Sequence, residues 1–288
     1  MDASRSRVRR LVLALSGAVT AIVLAVASPA HAAVQGLQLV WSESDYSSTW
    51  WRSPDAYCPS GKSLVGMGTW LDYNDNILFR GLVPIQGNAS NPIGAQAAAH
   101  EGLNGTAQQW RQTTYAICGY TPSGLVKIES GSPSSSTNLK TWTASCPSGK
   151  KVLGAGGTVH YGDGRVKVDE IRPNETLDQV TVTASEDQYG TGESWSVRAY
   201  AICAYPPPGL VRVRSAVSNG WNRSVGVSCP SEKVLLSVAG GVTANDMRRL
   251  RVTHLYPFDT DAAEAEVRTN STSGLTGEVR AYAICADG

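Results

Sequence analysis

Two groups of side chains in this sequence have the types that acid–base or nucleophilic chemistry requires, and the first is histidine. After residue 32 the histidines are His100, His160 and His254, which stand at unrelated places in the repeated motifs described below. No G-x-S-x-G nucleophile motif accompanies them, so nothing predicts a serine–histidine–aspartate site. We expect each histidine to be an ordinary strand or surface residue.

The second group consists of carboxylates, which in pairs can hydrolyse a glycosidic bond. The candidates are clustered in the middle of the chain: Asp163, Asp169, Glu170, Glu186 and Asp187. Most fall in turn-like or alternating segments, so we expect them to lie on solvated faces. The sequence therefore predicts no catalytic residue. Because nucleotide, flavin and haem motifs are also missing, it predicts no cofactor.

Aromatic residues give a more specific signal. The chain has 8 tryptophans and 11 tyrosines but only 2 phenylalanines. Tryptophan and tyrosine combine a flat apolar face with a polar edge, which suits stacking on sugar rings as well as filling a core. Trp110 and Trp195 stand at matched places in a repeat, so we assign them to the core. Trp50 and Trp221 are also matched, and we expect them to be structural.

Three tryptophans have no matched counterpart and are better candidates for ligand binding: Trp41, Trp51 and Trp70. Trp70 precedes a polar segment that contains Asp72, Tyr73 and Asn74. An Asp/Asn loop beside an aromatic ring predicts a saccharide site made of these six residues. The alternative is an ordinary turn built from turn-forming residues.

The same segment resembles the start of a calcium-binding loop. Asp72, Asn74 and Asn76 have the right spacing, but Ile77 stands where such a loop needs glycine and Val83 where it needs glutamate. We therefore predict no metal site.

All of these residues belong to a segment that occurs three times. Each copy opens with a Cys-Pro-Ser motif and closes with Tyr-Ala-Ile-Cys. The openings are Cys58-Pro59-Ser60-Gly61-Lys62, Cys146-Pro147-Ser148-Gly149-Lys150 and Cys229-Pro230-Ser231-Glu232-Lys233. The closings are Tyr115-Ala116-Ile117-Cys118, Tyr200-Ala201-Ile202-Cys203 and Tyr282-Ala283-Ile284-Cys285. The repeat divides the chain into units at 33–122, 123–208 and 209–288.

The six cysteines are all in the repeat, which indicates disulfides and an oxidising location. Either each opening cysteine joins the closing cysteine of its own unit, or it joins a neighbouring unit. We prefer the first pairing, Cys58–Cys118, Cys146–Cys203 and Cys229–Cys285, because it treats all units alike. Zinc is a poor alternative, since no C-x-x-C motif or matched histidine is present.

Alternation of apolar and polar residues predicts short strands in every unit. Ala95–Glu101 and Ala262–Val267 have a helical composition, but their counterpart Val180–Ala184 is β-branched, so we predict strands for all three. Glycines in the third strand of each unit predict a bulge or close backbone packing. The fold class predicted is all-β: three tandem, pseudo-equivalent antiparallel units, sandwich-like or prism-like, with one disulfide each.

The first residues indicate a secretory signal peptide over 1–32, with a basic start, an apolar stretch at Leu11–Ala27 and an Ala-His-Ala cleavage site. The chain after it is nearly neutral, so we expect no nucleic-acid partner, and no later segment is long enough to span a membrane. The expected location is extracellular. Oligomeric state is left open.

The opening and closing motifs and the glycine-rich third strand resemble a repeat of secreted actinobacterial proteins, most of which have no assigned activity. The resemblance covers nearly all of the chain after residue 32 and implies an exported all-β protein. Glu232 and Gly277 depart from the motif in the third unit. A more distant analogy, on threefold repetition alone, is to the β-prism of jacalin-like lectins and the vitelline outer-layer protein.

The predicted function is therefore that of a secreted, non-catalytic, lectin-like binding protein for saccharide or cell-envelope material. A structural or protein-interaction protein of the outer cell surface is the alternative, and a hydrolase is less favoured. Binding predicts that Trp41, Trp51 or Trp70 is exposed near an Asp/Asn loop, whereas the structural alternative predicts that they are buried.

Overall fold

The computed structural model describes residues 32–72, 76–87, 91–162, 164–220, 224–243, 247–258, 264–271 and 277–288. Residues 1–31, which contain almost all of the predicted signal peptide, lie outside the described residues. All described residues belong to one compact unit.

The described residues form strands in each of the three repeat units, together with a short 3-10 helix at Met247–Arg249. The first unit contains β1 (Gln38–Glu43), β2 (Trp51–Arg52), β3 (Asp55–Tyr57), β4 (Lys62–Asp72), β5 (Ile77–Gln86), β6 (Pro92–Glu101) and β7 (Arg111–Tyr120). The second contains β8 (Val126–Gly131), β9 (Leu139–Ser145), β10 (Lys151–His160), β11 (Val166–Pro173), β12 (Gln179–Glu186) and β13 (Ser196–Ala204). The third contains β14 (Val211–Arg214), β15 (Ser218–Gly220), β16 (Ser224–Ser228), β17 (Lys233–Thr243), β18 (Leu250–Pro257), β19 (Glu264–Ser271) and β20 (Gly277–Asp287).

Burial follows the alternation on which the strand predictions rest. In β16, Val225 and Val227 are buried while the residues between and beside them are exposed. The alanine-rich segment that has a helical composition is the extended strand β6, and its Ala95, Ala97 and Ala99 side chains are fully buried. Its counterparts are the strands β12 and β19, so the prediction for these segments is confirmed. Burial in a sheet outweighs the helix propensity of alanine, because intrinsic propensity is a weak determinant beside tertiary packing.

The strands form three antiparallel sheets. Sheet I has the order β1-β7-β4-β18-β19-β16. Sheet II has the order β2-β6-β5-β10-β13-β8, with β3 also paired to β6. Sheet III has the order β14-β20-β17-β11-β12-β9, with β15 also paired to β20.

Each sheet combines strands from two repeat units. The first unit places β1, β4 and β7 in sheet I and its other strands in sheet II; the second unit divides between sheets II and III, and the third between sheets III and I. The third unit thus pairs back with the first through β18 and β4. This cyclic exchange corresponds to the prism-like alternative, and the predicted all-β fold of three units is confirmed.

The three disulfides join the cysteines within each unit, as the preferred pairing predicts: Cys58–Cys118, Cys146–Cys203 and Cys229–Cys285. The linked residues are 60, 57 and 56 positions apart. Closing a loop of this length in the unfolded chain stabilises the folded state by about 4 kcal/mol for each bridge.

The predicted third strand of each unit corresponds to β4, β10 and β17, since an extra short strand precedes β4 and β17 in their units. The predicted bulge and close packing are both present in these third strands. The register of β4 shifts between Leu64 and Gly66, and that of β10 between Val152 and Gly154. A side chain at Gly66 would collide with the carbonyl oxygen of Leu236 in the third unit. One at Gly154 would collide with that of Val65 in the first. These glycines let the third strands of different units approach each other in the core.

Candidate functional site

Three seams mark where strands of different units pair, one in each sheet. Trp70 lies opposite His254 in sheet I, Thr158 opposite Gly81 in sheet II, and Gly241 opposite Glu170 in sheet III. Aligned on the opening cysteines, Trp70, Thr158 and Gly241 are equivalent. The same repeat position therefore carries a large aromatic ring at one seam and small residues at the other two.

Aromatic rings are in contact along the sheet I seam. The Trp70 ring meets the edge of His254 at a centroid distance of 4.1 Å and that of Tyr256 at 5.1 Å. Tyr256 also contacts Tyr115 at 5.1 Å and Phe258 at 4.6 Å. Trp70 and Tyr115 come from the first unit and Tyr256 from the third, so only the pairing of β4 with β18 brings these rings together. We call Trp70, Tyr115 and Tyr256 the seam platform.

The seam platform forms part of the wall of a shallow depression of about 330 Å³. Its lining residues are Glu43, Trp70, Asp72, Arg111, Thr113, Tyr115 and Tyr256. A depression of this volume is at the lower end of the range for small-molecule sites.

Charged groups make up the polar side of the depression. Arg111 binds Glu43 at 3.0 Å and Asp72 at 3.3 Å. The Thr113 hydroxyl donates to the other oxygen of Glu43 at 3.4 Å. Arg111 therefore holds the two carboxylates in place, with acceptor oxygens and guanidinium donors beside the rings. Such a mixture suits a ligand with many hydroxyl groups.

Tyr115 contributes a neutral hydroxyl to the site. Burial, with smaller contributions from the neighbouring Tyr256 and Glu43 and against the opposing effects of Thr113 and Arg111, raises the pKa of Tyr115 to about 12. The phenol consequently stays protonated through the physiological range, where it can both donate and accept a hydrogen bond.

Trp41 extends the aromatic surface beyond the depression. It lies directly opposite Tyr115 in the β1–β7 pairing, and 63% of its surface is exposed. A flat ring this exposed on an edge strand is available to a ligand that covers Tyr115.

The structure thus brings together Trp41, Trp70 and Asp72 of the predicted saccharide site. Tyr73 and Asn74 lie outside the described residues. Trp51 is in sheet II, where β2 pairs with β6, and does not belong to the seam platform. The sequence did not point to Tyr256 or Arg111. Tyr115 stood out in the sequence only as part of a repeated motif. The residues around Tyr256 give no indication that it contacts another unit.

The other two seams keep the tyrosine of the closing motif but surround it with charge. Tyr200 lies opposite Glu129, which binds Arg198. Tyr282 lies opposite Arg214, and the guanidinium of Arg212 lies 5.2 Å from its ring centroid. Among the described residues, contacting aromatic rings on the two strands that pair across a seam occur in sheet I and at neither of the other seams.

The prediction that the middle carboxylates lie on solvated faces is wrong. Asp169, Glu170, Glu186 and Asp187 are buried, and Asp163 lies outside the described residues. Their partners explain the burial. Glu186 accepts a hydrogen bond from the indole of the buried Trp195 at 3.1 Å, and Asp169 contacts the fully buried Lys167.

The same carboxylate–indole pair occurs in the first unit, where Trp110 donates to Glu101 at 3.1 Å. Both tryptophans are fully buried, which confirms their assignment to the core. In the third unit Gly277 replaces the tryptophan, and Ser271 stands at the position of the glutamate. The two partners have changed together, as a buried acid needs its donor. These carboxylates are therefore structural.

The histidines are strand residues, as expected, on β6, β10 and β18. His100 and His254 are buried, and they lie in different sheets. No three His, Cys, Asp or Glu side chains gather into a metal site within the described ranges. The described part of the chain also has no helix of the length and apolar character that crossing a membrane requires.

No family model matches the chain, and a comparison with curated proteins gave no match.

Proposed function

We propose that the protein is a secreted, non-catalytic saccharide-binding protein whose ligand stacks on the seam platform. The observation that carries the proposal is the placement of contacting aromatic rings beside the Arg111–carboxylate network at one of three equivalent seams. The strands that surround the three seams are equivalent, so their packing gives no particular reason for the rings to occur at one seam alone. A ligand requires them only where it binds.

The ring geometry favours a flat, hydroxyl-rich ligand over a caged cation. Aromatic cages for quaternary ammonium groups need space between the rings for the cation. Here neighbouring centroids are 4.1–5.1 Å apart, so the rings fill the space between them. What remains open is the outer surface, where the apolar face of a sugar can stack while its hydroxyls reach Glu43, Asp72 and Arg111.

The exposure of the tryptophans also supports the proposal. The structural alternative requires Trp41, Trp51 and Trp70 to be buried without a concave aromatic site. Trp41 is largely exposed, and Trp70 is half-buried and lines the depression. Three disulfides further favour an oxidising, extracellular location.

Binding can be tested by pull-down on amorphous cellulose, chitin and peptidoglycan, together with a glycan array. We expect Trp70→Ala and Trp41→Ala to weaken retention of the protein on the bound polysaccharide by up to about tenfold, since a lost stacking ring is worth about 0.5–1.5 kcal/mol. Trp41→Ala is the cleaner variant because its side chain is already exposed.

Tyr189→Ala is the matched control, since Tyr189 is an exposed aromatic residue outside the depression and its loss should leave retention unchanged. Failure of the wild-type protein to bind any glycan would refute the proposal, and so would equal binding by all four proteins.

A further inference from the structure

A second group of exposed aromatic residues lies in sheet II. The side chains of Trp50 and Trp51 are 43% and 40% exposed. Both rings stack near the buried His100, at centroid distances of 6.0 and 6.2 Å. The recurrence of Trp50 in the third unit predicted a structural role, yet its ring reaches solvent. His100 is the anchor of both rings.

His100 supports the tryptophans as a neutral ring. Burial lowers its pKa, and its Nδ1 lies 2.8 Å from the carbonyl oxygen of Glu101. Trp51 is held further by donation from its indole nitrogen to Ser53 at 3.0 Å. The two tryptophans are therefore positioned by fixed partners, which reduces the ordering that a ligand must impose.

The second repeat unit approaches this group through the backbone of Tyr161 and Gly164. The Arg80 guanidinium lies 5.3 Å from the centroid of the Trp51 ring and donates to the Tyr161 carbonyl at 3.4 Å. Gly164, three residues after Tyr161, lies so close to Trp50 that a Cβ atom at this position would be 2.8 Å from the Trp50 ring. The group is thus built across two units, as the seam platform is.

Tyr161 has an unusual backbone conformation. Its φ is +66°, in the left-handed region that residues with a bulky side chain rarely adopt, and 74% of its surface is exposed. The side chain therefore gains little from packing to offset the strain. Strained positions cluster at functional sites, and this one is linked to the Trp51 ring through Arg80.

The two aromatic groups lie at the same end of the first unit. Trp70 is near the end of β4, and His100 pairs with Leu78 near the start of β5. Only the short connection at 73–76 separates β4 from β5, which run in adjoining sheets.

Resting on the saccharide-binding function proposed above, we propose that Trp50, Trp51 and Tyr161 form a second stacking site for the same chain, so that the ligand is a polysaccharide. A short oligosaccharide contacts the seam platform alone. A polymer engages both sites, and linkage of the two raises its apparent affinity without any new type of contact.

The test compares long and short forms of each probe: amorphous cellulose with cellotetraose, chitin with chitotetraose, and peptidoglycan with its soluble muropeptides. We expect Trp51→Ala to weaken binding to the polymer by about tenfold or more and to leave the short form unchanged. Trp70→Ala should weaken both.

Tyr161→Gly separates binding from folding. Glycine adopts the left-handed conformation without strain, so this variant should melt at or above the wild-type temperature and still lose affinity for the polymer. Wild-type polymer binding by Trp51→Ala and Tyr161→Gly would overturn the second site while the seam platform stands. Absence of binding by the wild-type protein to every probe would overturn both proposals.

Discussion

The lysine that ends each opening motif lies against the residue two positions after the closing cysteine. The partners are Lys62 with Tyr120 at 6.0 Å, Lys150 with Tyr205 at 5.6 Å, and Lys233 with Asp287 at 2.5 Å. Two units use a cation–π contact, and the third uses an ion pair at the same place. The motif thus positions the lysine at the same place in each unit. The residue that contacts the lysine can be a tyrosine or an aspartate, because both attract a cation.

The glycine of the same motif adopts a backbone conformation that favours glycine, and the third unit has a glutamate in its place. Gly61 and Gly149 have φ values of +81° and +78°, and Glu232 holds the equivalent position at +68°. A side chain in the left-handed region costs about 1–2 kcal/mol. The third unit therefore keeps the turn at a cost to its stability.

Replacing Glu232 with glycine should raise the free energy of unfolding by about 1 kcal/mol, because the relief of strain exceeds the entropy that glycine loses on folding. Urea denaturation measures this change. Gly149→Glu is the reciprocal control and should lower the stability by a similar amount. No gain from the first variant, or no loss from the second, would show that the turn tolerates a side chain.

At the scale of elements, the third strand of each unit decides how closely the units approach. β4, β10 and β17 each carry a register shift near the start of the strand. In β4 and β10 the shift falls beside the glycine that contacts a carbonyl oxygen of another unit. A bulge twists the strand and removes one residue from the ladder, so the backbone can turn towards the neighbouring unit. The seams depend on this approach.

Gly154→Ala tests the close approach of the third strands. The new methyl group would meet the Val65 carbonyl, and overpacking of this kind typically costs about 1–3 kcal/mol. We expect the free energy of unfolding to fall by an amount at the upper end of that range. Thermal and urea denaturation are the measurements.

Gly192→Ala is the control, since no atom beyond its two chain neighbours lies within 4 Å of the added carbon. It should change stability little. Equal effects of the two substitutions would mean that the third strands have room to separate, which contradicts the packing described.

At the scale of the molecule, the exchange of strands makes the units mutually dependent. Each unit divides its strands between two sheets and pairs one strand with each neighbouring unit. Removing one unit exposes unpaired strand edges on both of the units that remain. Unpaired edges and an uncovered core are unfavourable in a folded domain.

A fragment of residues 33–208 should therefore lack cooperative unfolding, although it contains two complete repeats and two of the disulfides. The reason is that β4 loses β18 and β11 loses β17. Calorimetry of the fragment beside the chain of residues 33–288 measures this. A sharp transition in the fragment at the same temperature would show that the units fold as separate modules.

The sequence by itself determined the features that repeat locally: three strand-rich units, the disulfide within each, the bulged glycine strands and the buried Trp110 and Trp195. These features follow from the spacing of the cysteines and from the alternation of apolar and polar residues, and both patterns can be read in every copy of the repeat. The burial of the carboxylates was not predicted from the sequence. Glu186 is buried because the Trp195 indole, nine positions away, donates to it, and the sequence does not show that the two side chains point towards each other.

Only the tertiary structure decided where the candidate ligand sites lie. Trp70 was a candidate because it breaks the repeat, but its neighbour Tyr256 is far away in the chain and belongs to another unit. Their contact depends on which strand edges pair, and three similar units could pair in more than one way. Since edge pairing is set by the packing of the whole core, the residues of a seam are fixed only when all three units are assembled.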